Sequence, residues 1–262
     1  MLISIITINY NDVEGLKKTM TSVLDQTYVN IEYIIIDGGS TDGSMEYIET
    51  HQKALTYWLS EPDKGVYDAM NKGLKKATGD YVFFLNSGDT LHNETIIEMV
   101  VNLKPTEDII YGHLEIKEKS RTRIKVYPQV LTFEYFLKDS LPHSGGGFFK
   151  KGCFVNDLSH YDSTLKIMAD WKWSVIGLFK KGYSYRLVDT TIGVFEYGNG
   201  ISSLPENREL LNMERKLILN EEFKYLYAKM ITLLAIKKSF KRLMKTKLLK
   251  TVFKLKKTFQ KK

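Results

Sequence analysis

Four apolar runs separated by stretches of helical spacing constrain this chain more than any other feature. Residues 2–10 and 31–36 are rich in Ile and suit strands buried on both faces. Residues 56–59 and 81–85 add two more such runs. Leu16, Met20, Val23 and Leu24 recur at helical spacing behind Asp12, a residue type that caps helices. Further helices are predicted at about 45–51 and 66–77, the latter closed by Gly79. Strands alternating with helices give an α/β fold, a Rossmann-like, mostly parallel sheet flanked by helices. In such sheets ligands bind beyond the carboxyl ends of the strands, near the point where strand order reverses. The segments to read are therefore 9–11, 37–43, 60–64 and 86–89.

The rest of the chain is more mixed. Residues 109–116 and 123–127 read as an antiparallel pair. Residues 143–149 read as a Gly-rich turn leading into a strand, 168–179 as an aromatic helix and 188–196 as a strand. From about residue 206 the chain reads as helical. There Ile236, Phe240, Leu243, Leu248, Val252, Leu255 and Phe259 follow helical spacing with lysines between them, the pattern of a basic amphipathic tail. The expected division is a domain over 1–205, with halves at 1–103 and 104–205, and a tail over 206–262.

Charge sets that tail apart. Residues 224–262 hold 14 Lys and Arg and no Asp or Glu, whereas the preceding 223 residues hold 24 basic and 31 acidic side chains. The acidic main domain argues against a nucleic-acid substrate, and the basic tail suits an anionic membrane surface. The single cysteine, Cys153, precludes an internal disulfide, and no Cys/His cluster has zinc spacing. The opening Met-Leu-Ile-Ser lacks the basic start and cleavage site of a leader. The longest apolar run of the tail, 230–236, is short of the ~20 residues that a bilayer span needs. The expected location is cytoplasmic, peripheral on the inner face of the cell membrane.

Binding a nucleotide diphosphate requires a group to read the base, hydrogen bonds for the ribose and positive charge on the pyrophosphate. The chain has neither a Walker loop nor a GxGxxG turn. A divalent metal, Mn2+ or Mg2+, held by a carboxylate at a strand end is the remaining solution, and Asp89 is placed for it. Read alone, Asn86-Ser87-Gly88-Asp89 is also an ordinary turn. Asp37, ending an apolar strand, is an acceptor for a uracil N3–H, the start of an Asx-turn or a helix cap. Asp170, in Ala169-Asp170-Trp171-Lys172-Trp173, is a general base beside rings that pack on sugars, a helix N-cap or a first-turn helix acid. His143 precedes Gly145-Gly146-Gly147, where bare backbone admits a ligand, and is a weaker candidate.

Taken in order, the segments SIITINYND, LDQTY, EYIIIDGGSTDGS, SEPDKGVYDAMNKGLKKATGDYVFFLNSGD and KIMADWKW resemble the family 2 inverting glycosyltransferases of GT-A fold. Within that family they look like bacterial enzymes of capsule, exopolysaccharide and lipopolysaccharide synthesis. The resemblance covers about residues 1–200, and 61–89 is its most specific part. It implies a hexosyl- or N-acetylhexosaminyl-transferase acting on a nucleotide-sugar, a UDP-sugar by family habit. Thr7, Asn9 and Tyr10 then match the loop that packs on the base, and Asp37 the aspartate that reads uracil. Asp63, Lys64 and Asn71 match the segment beside ribose and pyrophosphate. Asn86, Ser87 and Gly88 lead to Asp89, the counterpart of the metal ligand. Asp170 matches the catalytic base, with His143 and Trp171 expected near the acceptor. Residues 198–202 resemble a late loop closing on donor and acceptor.

Asn86 and Gly88 stand where many relatives carry aspartates, and Ala169 stands where many carry glutamate. The chain lacks the Gln-x-x-Arg-Trp signature of processive synthases, which favours addition of a single sugar. The implied acceptor is a glycan or a polyprenyl-diphosphate-linked sugar. Three rivals remain. A sugar-phosphate nucleotidyltransferase would carry a Gly-rich basic first loop, which Tyr10-Asn11-Asp12-Val13-Glu14-Gly15 does not supply. A non-catalytic nucleotide-sugar binder would lack metal-dependent donor hydrolysis. A membrane-surface protein would bind no nucleotide.

Overall fold

The computed structural model describes residues 1–154, 158–198 and 200–259. The chain divides into two units, Met1–Glu214 and Arg215–Lys262.

The first unit opens with β1 (Ile3–Asn9), α1 (Val13–Leu24), β2 (Ile31–Asp37), α2 (Ser44–His51), β3 (Tyr57–Ser60), α3 (Val66–Lys76) and β4 (Tyr81–Phe84). The four strands are parallel, in the order β3-β2-β1-β4. On one face Ile3, Ile5, Tyr33, Ile35, Tyr81 and Phe83 pack with Leu16, Met20 and Val23 of α1 and Ile48 of α2. Side chains alternate across a strand, so Ile6, Ile34, Ile36 and Phe84 turn to the other face, where α3 lies against β1 and β2. Both faces are covered, which is why these runs are continuously apolar rather than alternating. Asp12 caps α1 as expected, its Oδ1 accepting from Gly15 N at 3.0 Å.

Strand order reverses at β1, which has β2 on one side and β4 on the other. That switch point lies at the carboxyl ends of β1 and β4. The register sets Asn9 beside Asp37, and Asp37 beside Ser60.

The sheet continues through β5 (Thr90–Leu91), α4 (Ile96–Asn102), β6 (Ile109–Glu118), β7 (Arg121–Lys125), α5 (Phe133–Phe136), α6 (His143–Gly146) and β8 (Gly147–Lys150). It ends with α7 (Ala169–Ile176), a π-helical turn over Gly177–Lys181, and β9 (Tyr185–Glu196). The full order is β3-β2-β1-β4-β8-β6-β9-β5, with β7 on β6 as the expected antiparallel pair. β9 starts three residues before the sequence expectation. Tyr185, Arg186 and Leu187 already pair with Ile109, Ile110 and Tyr111, but their half-exposed, mixed character hides the strand.

α8 (Arg208–Glu222) and α9 (Lys224–Phe259) complete the chain. Along α9, Leu226, Leu233, Ile236, Phe240 and Met244 recur at spacings of three, four or seven and are exposed. They form an apolar stripe between lysines. No helix among the described residues is long and apolar enough to cross a membrane.

Candidate active site

One hydrogen-bonded network ties together the ends of β1, β2 and β3 and the turn after β4. At its centre is Asp37, fully buried. Its Oδ1 accepts from Asn9 Nδ2 at 2.7 Å and Ser40 Oγ at 2.5 Å. Its Oδ2 accepts from Ser60 Oγ at 2.7 Å and from the amides of Ser40 and Gly39 at 2.9 and 3.2 Å. Burial pushes this carboxyl up, but the donors outweigh it and hold the pKa below the usual carboxylate range. Asn9 extends the network, its Oδ1 accepting from Ser87 Oγ at 2.7 Å.

These five donors engage both oxygens of Asp37 and shape the loop after β2. Thr7 is buried in β1, its Oγ1 3.1 Å from Tyr33 Oη. Tyr10 is 67% exposed at the end of β1.

The Asn86–Asp89 turn is held from α1. Thr19 Oγ1 accepts from Gly88 N at 3.0 Å and donates to the Asp89 carbonyl at 2.7 Å. Gly88 has φ +92°, a conformation that glycine adopts without strain. Asp89 is buried; its Oδ2 accepts from Ser144 Oγ at 2.8 Å and its Oδ1 from Glu196 N at 3.2 Å. Burial, with the nearby charges of Glu196 and Asp12, pushes its carboxyl up to about 7. Ser144 Oγ also accepts from Asn86 N at 3.0 Å. Asn86 Oδ1 is buried with no hydrogen-bond partner among the described residues.

The sign of the Asp89 shift gives a test. An acid raised in the folded state binds its proton more tightly there than in the unfolded chain. The metal-free protein therefore loses stability as pH rises from about 4 to about 7. Asp89→Asn removes that loss. In chelator at pH 8 the variant is expected to be more stable than the wild type by on the order of 2–4 kcal/mol, the gap closing toward pH 4. Urea unfolding at the two pH values measures it, and a variant less stable at pH 8 contradicts the assignment.

Asp170 lies half-buried in the first turn of α7. Tyr67 Oη, on α3, is 2.7 Å from Asp170 Oδ1 and 2.5 Å from the Ile167 carbonyl, so one proton faces two acceptors. Burial and the Asp170 charge push the Tyr67 phenol far up, and it stays protonated. Asp170 Oδ2 makes no hydrogen bond among the described residues. The turn before α7 is fixed by Glu214, a buried carboxylate that accepts from the amides of Lys166, Ile167 and Met168 at 2.7, 3.0 and 3.0 Å.

Behind Asp170 stands an aromatic wall. His143 stacks on Phe84 and Phe149, with centroids 4.7 and 5.2 Å apart, and its Nε2 pairs with Tyr161 Oη at 2.6 Å. Burial lowers the His143 pKa against the opposing pull of Asp170, leaving the ring neutral at pH 7. Trp171 is 2% exposed and donates from Nε1 to the Asp139 carbonyl at 3.1 Å. Both rings are buried, with His143 Nε2 and Trp171 Nε1 engaged inside the protein. Asn71 is also turned inward. Its Nδ2 donates to Tyr161 O at 2.9 Å and its Oδ1 accepts from Tyr161 N at 2.8 Å, so it clamps that segment.

The loop after β3 carries Asp63, whose Oδ1 accepts from Gly65 N at 2.8 Å, and the exposed Lys64. Consecutive residues His143 and Ser144 link the two centres, one facing the Asp170 cluster and the other bound to Asp89. In the late loop, Asn199 lies outside the described residues. Sequence reasoning missed Ser40, Ser60, Ser144, Tyr67 and Glu214. Ser60 ends β3 and Ser40 lies just beyond β2, where they were open to reading, whereas Ser144 lies within α6. Glu214 carries no local signal.

Residues 4–164 match the family model described as glycosyl transferase family 2. An uncharacterized glycosyltransferase of Mycobacterium tuberculosis is 44% identical over 100 residues, 38% of this chain and 38% of that relative's length. A PGL/p-HBAD biosynthesis glycosyltransferase of Mycobacterium bovis is 24% identical over 216 residues, 80% of this chain and 82% of that protein. Among solved structures, S. aureus TarS in complex with UDP-GlcNAc aligns with a TM-score of 0.64 at 17% identity, over 84% of this chain and 71% of that one. The mannosyltransferase PcManGT from Pyrobaculum calidifontis, in complex with GDP-Man and Mn2+, aligns with a TM-score of 0.56 at 17% identity, over 75% and 57%. At such identities the likeness is one of fold, and it is the expected GT-A fold. The family match spans more than half of the sequence, and the chain belongs to glycosyl transferase family 2.

Proposed function

We propose that this glycosyltransferase moves one sugar from a UDP-sugar to a surface-glycan or polyprenyl-diphosphate-linked acceptor, with inversion at the anomeric carbon. The observation that carries this reading is Asp170, with one oxygen pinned by Tyr67 and the other without a partner among the described residues. A carboxylate so held is oriented to accept one proton. The acceptor hydroxyl oxygen attacks the anomeric carbon as Asp170 takes its proton. The bond from that carbon to the diphosphate oxygen breaks, and the electron pair leaves with the diphosphate. Attack and departure lie on opposite faces, so configuration inverts. The uridine choice is supported by TarS, solved with UDP-GlcNAc.

A divalent cation fits the turn after β4. Asp89 is buried near the charges of Glu196 and Asp12, and Asn86 Oδ1 is buried with no hydrogen-bond partner among the described residues. Hard oxygen donors of this kind suit Mg2+ or Mn2+. Among the described residues no group of three His, Cys, Asp or Glu could hold an ion alone, so the donor diphosphate must supply further ligands. When bound, the ion offsets charge on the departing diphosphate. Lys64, exposed on its loop, adds positive charge for the pyrophosphate.

The test is a transfer assay with UDP-sugars and a polyprenyl-diphosphate-linked acceptor, the product's anomeric configuration being read by NMR. Inversion supports the reading, and a product of retained configuration contradicts it. For the tail, each Lys or Arg at an anionic surface contributes about 1 kcal/mol. Truncation after Lys237 is therefore expected to release the protein from phosphatidylserine liposomes at low salt. Binding that survives truncation removes the tail as the anchor.

A further inference from the structure

The direction in which Asp170 points is set by the backbone just before it, and α7 begins there without a side-chain cap of its own. The first N–H groups of a helix need acceptors from elsewhere. Glu214 supplies them from α8, 46 residues beyond Met168. Its Oε1 accepts from Lys166 N at 2.7 Å, and its Oε2 from the amides of Ile167 and Met168 at 3.0 Å each. The residue is 5% exposed, so these charge-assisted bonds act where water screens them little. Burying a carboxylate is costly unless hydrogen bonds offset it, and here three of them go to the turn that carries Asp170. Tyr67 holds the carbonyl of the same Ile167 and also reaches Asp170 Oδ1. Ile167 is thus fixed at its N–H from α8 and at its C=O from α3. All of these groups lie in the first unit.

We propose that Glu214 is a positioning residue for sugar transfer, holding the 166–168 turn so that Asp170 Oδ2 meets the acceptor hydroxyl. The inference rests on the reading of Asp170 as the base. Glu214 acts through Asp170 and touches no substrate. Asp170 is two residues beyond Met168, so a turn released at 166–168 moves its carboxylate directly. A displacement of about 1 Å at a reacting group lowers a rate by about a hundredfold. The hydrogen bonds of Glu214 go to 166–168 and not to the turn that carries Asp89, so the donor site is expected to keep its affinity.

The experiment compares the full chain with Glu214→Ala, Glu214→Gln, Asp170→Asn and the double variant Asp170→Asn/Glu214→Ala, folding being checked by circular dichroism. UDP-Glc, UDP-Gal and UDP-GlcNAc in Mn2+ are the donors. Their hydrolysis is followed, with water in place of the acceptor, and their affinity is read by calorimetric titration. Glu214→Ala is expected to lower kcat by about ten- to a hundredfold with donor affinity unchanged. Glu214→Gln, which keeps an oxygen for two of the three amides, is expected to lose less, and it carries the test if the alanine variant does not fold. In the Asp170→Asn background, Glu214→Ala is expected to lower kcat no further, because its effect runs through the base. Val100→Ala, which opens a cavity under the remote helix α4, is the control for stability alone and is expected to keep wild-type kcat. Folded Glu214 variants with wild-type kcat, beside an impaired Asp170→Asn, overturn the inference and leave the base in place. So does a further loss in the double variant, or an equal loss in Val100→Ala. Wild-type kcat in Asp170→Asn overturns the reading of the base and this inference with it. A wild type that hydrolyses none of the three donors overturns the UDP-sugar reading on which both depend.

Discussion

Asp170→Asn is expected to lower kcat by about 10²–10⁴-fold while leaving UDP-sugar affinity nearly unchanged. The substitution keeps the volume of the side chain and removes its basicity. Tyr67 can still donate to the amide oxygen, so the first turn of α7 has no reason to move. Glu214 and its three amide contacts fix that turn independently of residue 170. The loss therefore belongs to the chemical step. Single-turnover rates together with donor titration separate the two quantities. A variant with wild-type kcat places the base elsewhere.

Asp37→Ala is expected to destabilise the protein by about 3–5 kcal/mol, enough to unfold a chain of ordinary stability. Asn9, Ser40, Gly39 and Ser60 would each lose a buried acceptor at once, and the ends of three strands would lose their common anchor. The pH dependence runs opposite to that of Asp89. A carboxyl held below its unfolded value contributes stability fully above about pH 4, and that contribution is lost as pH falls through the folded value. Urea titration at pH 7 and at pH 3 reads both effects, the difference between wild type and variant shrinking at the lower pH. A loss under about 1 kcal/mol at pH 7 means the network is not structural.

The parallel half of the fold was legible because Ile-rich runs and helical spacing are local signals, and residues 3–9 and 31–37 need no partner to declare themselves. The acidic positions were legible for the same reason, each standing at a strand or helix end. The partners of a side chain were not. His143, Trp171, Asn71 and Thr7 make hydrogen bonds to Tyr161, Asp139 and Tyr33. Those partners come from remote segments that only the folded chain brings near. Glu214 illustrates the limit. It sits on a charged helix like many other glutamates, and only burial against the amides of 166–168 distinguishes it.

The most direct test of the central claim, that this chain binds a uridine-diphosphate sugar for transfer, is thermal unfolding with UDP- and GDP-sugars, in Mn2+ and in chelator. A ligand bound only by the native state raises the unfolding temperature with the logarithm of its concentration. UDP-sugars are expected to raise it in Mn2+, and GDP-sugars, or UDP-sugars in chelator, to raise it far less. Folded protein whose unfolding temperature no nucleotide-sugar changes, with or without Mn2+, would contradict the claim.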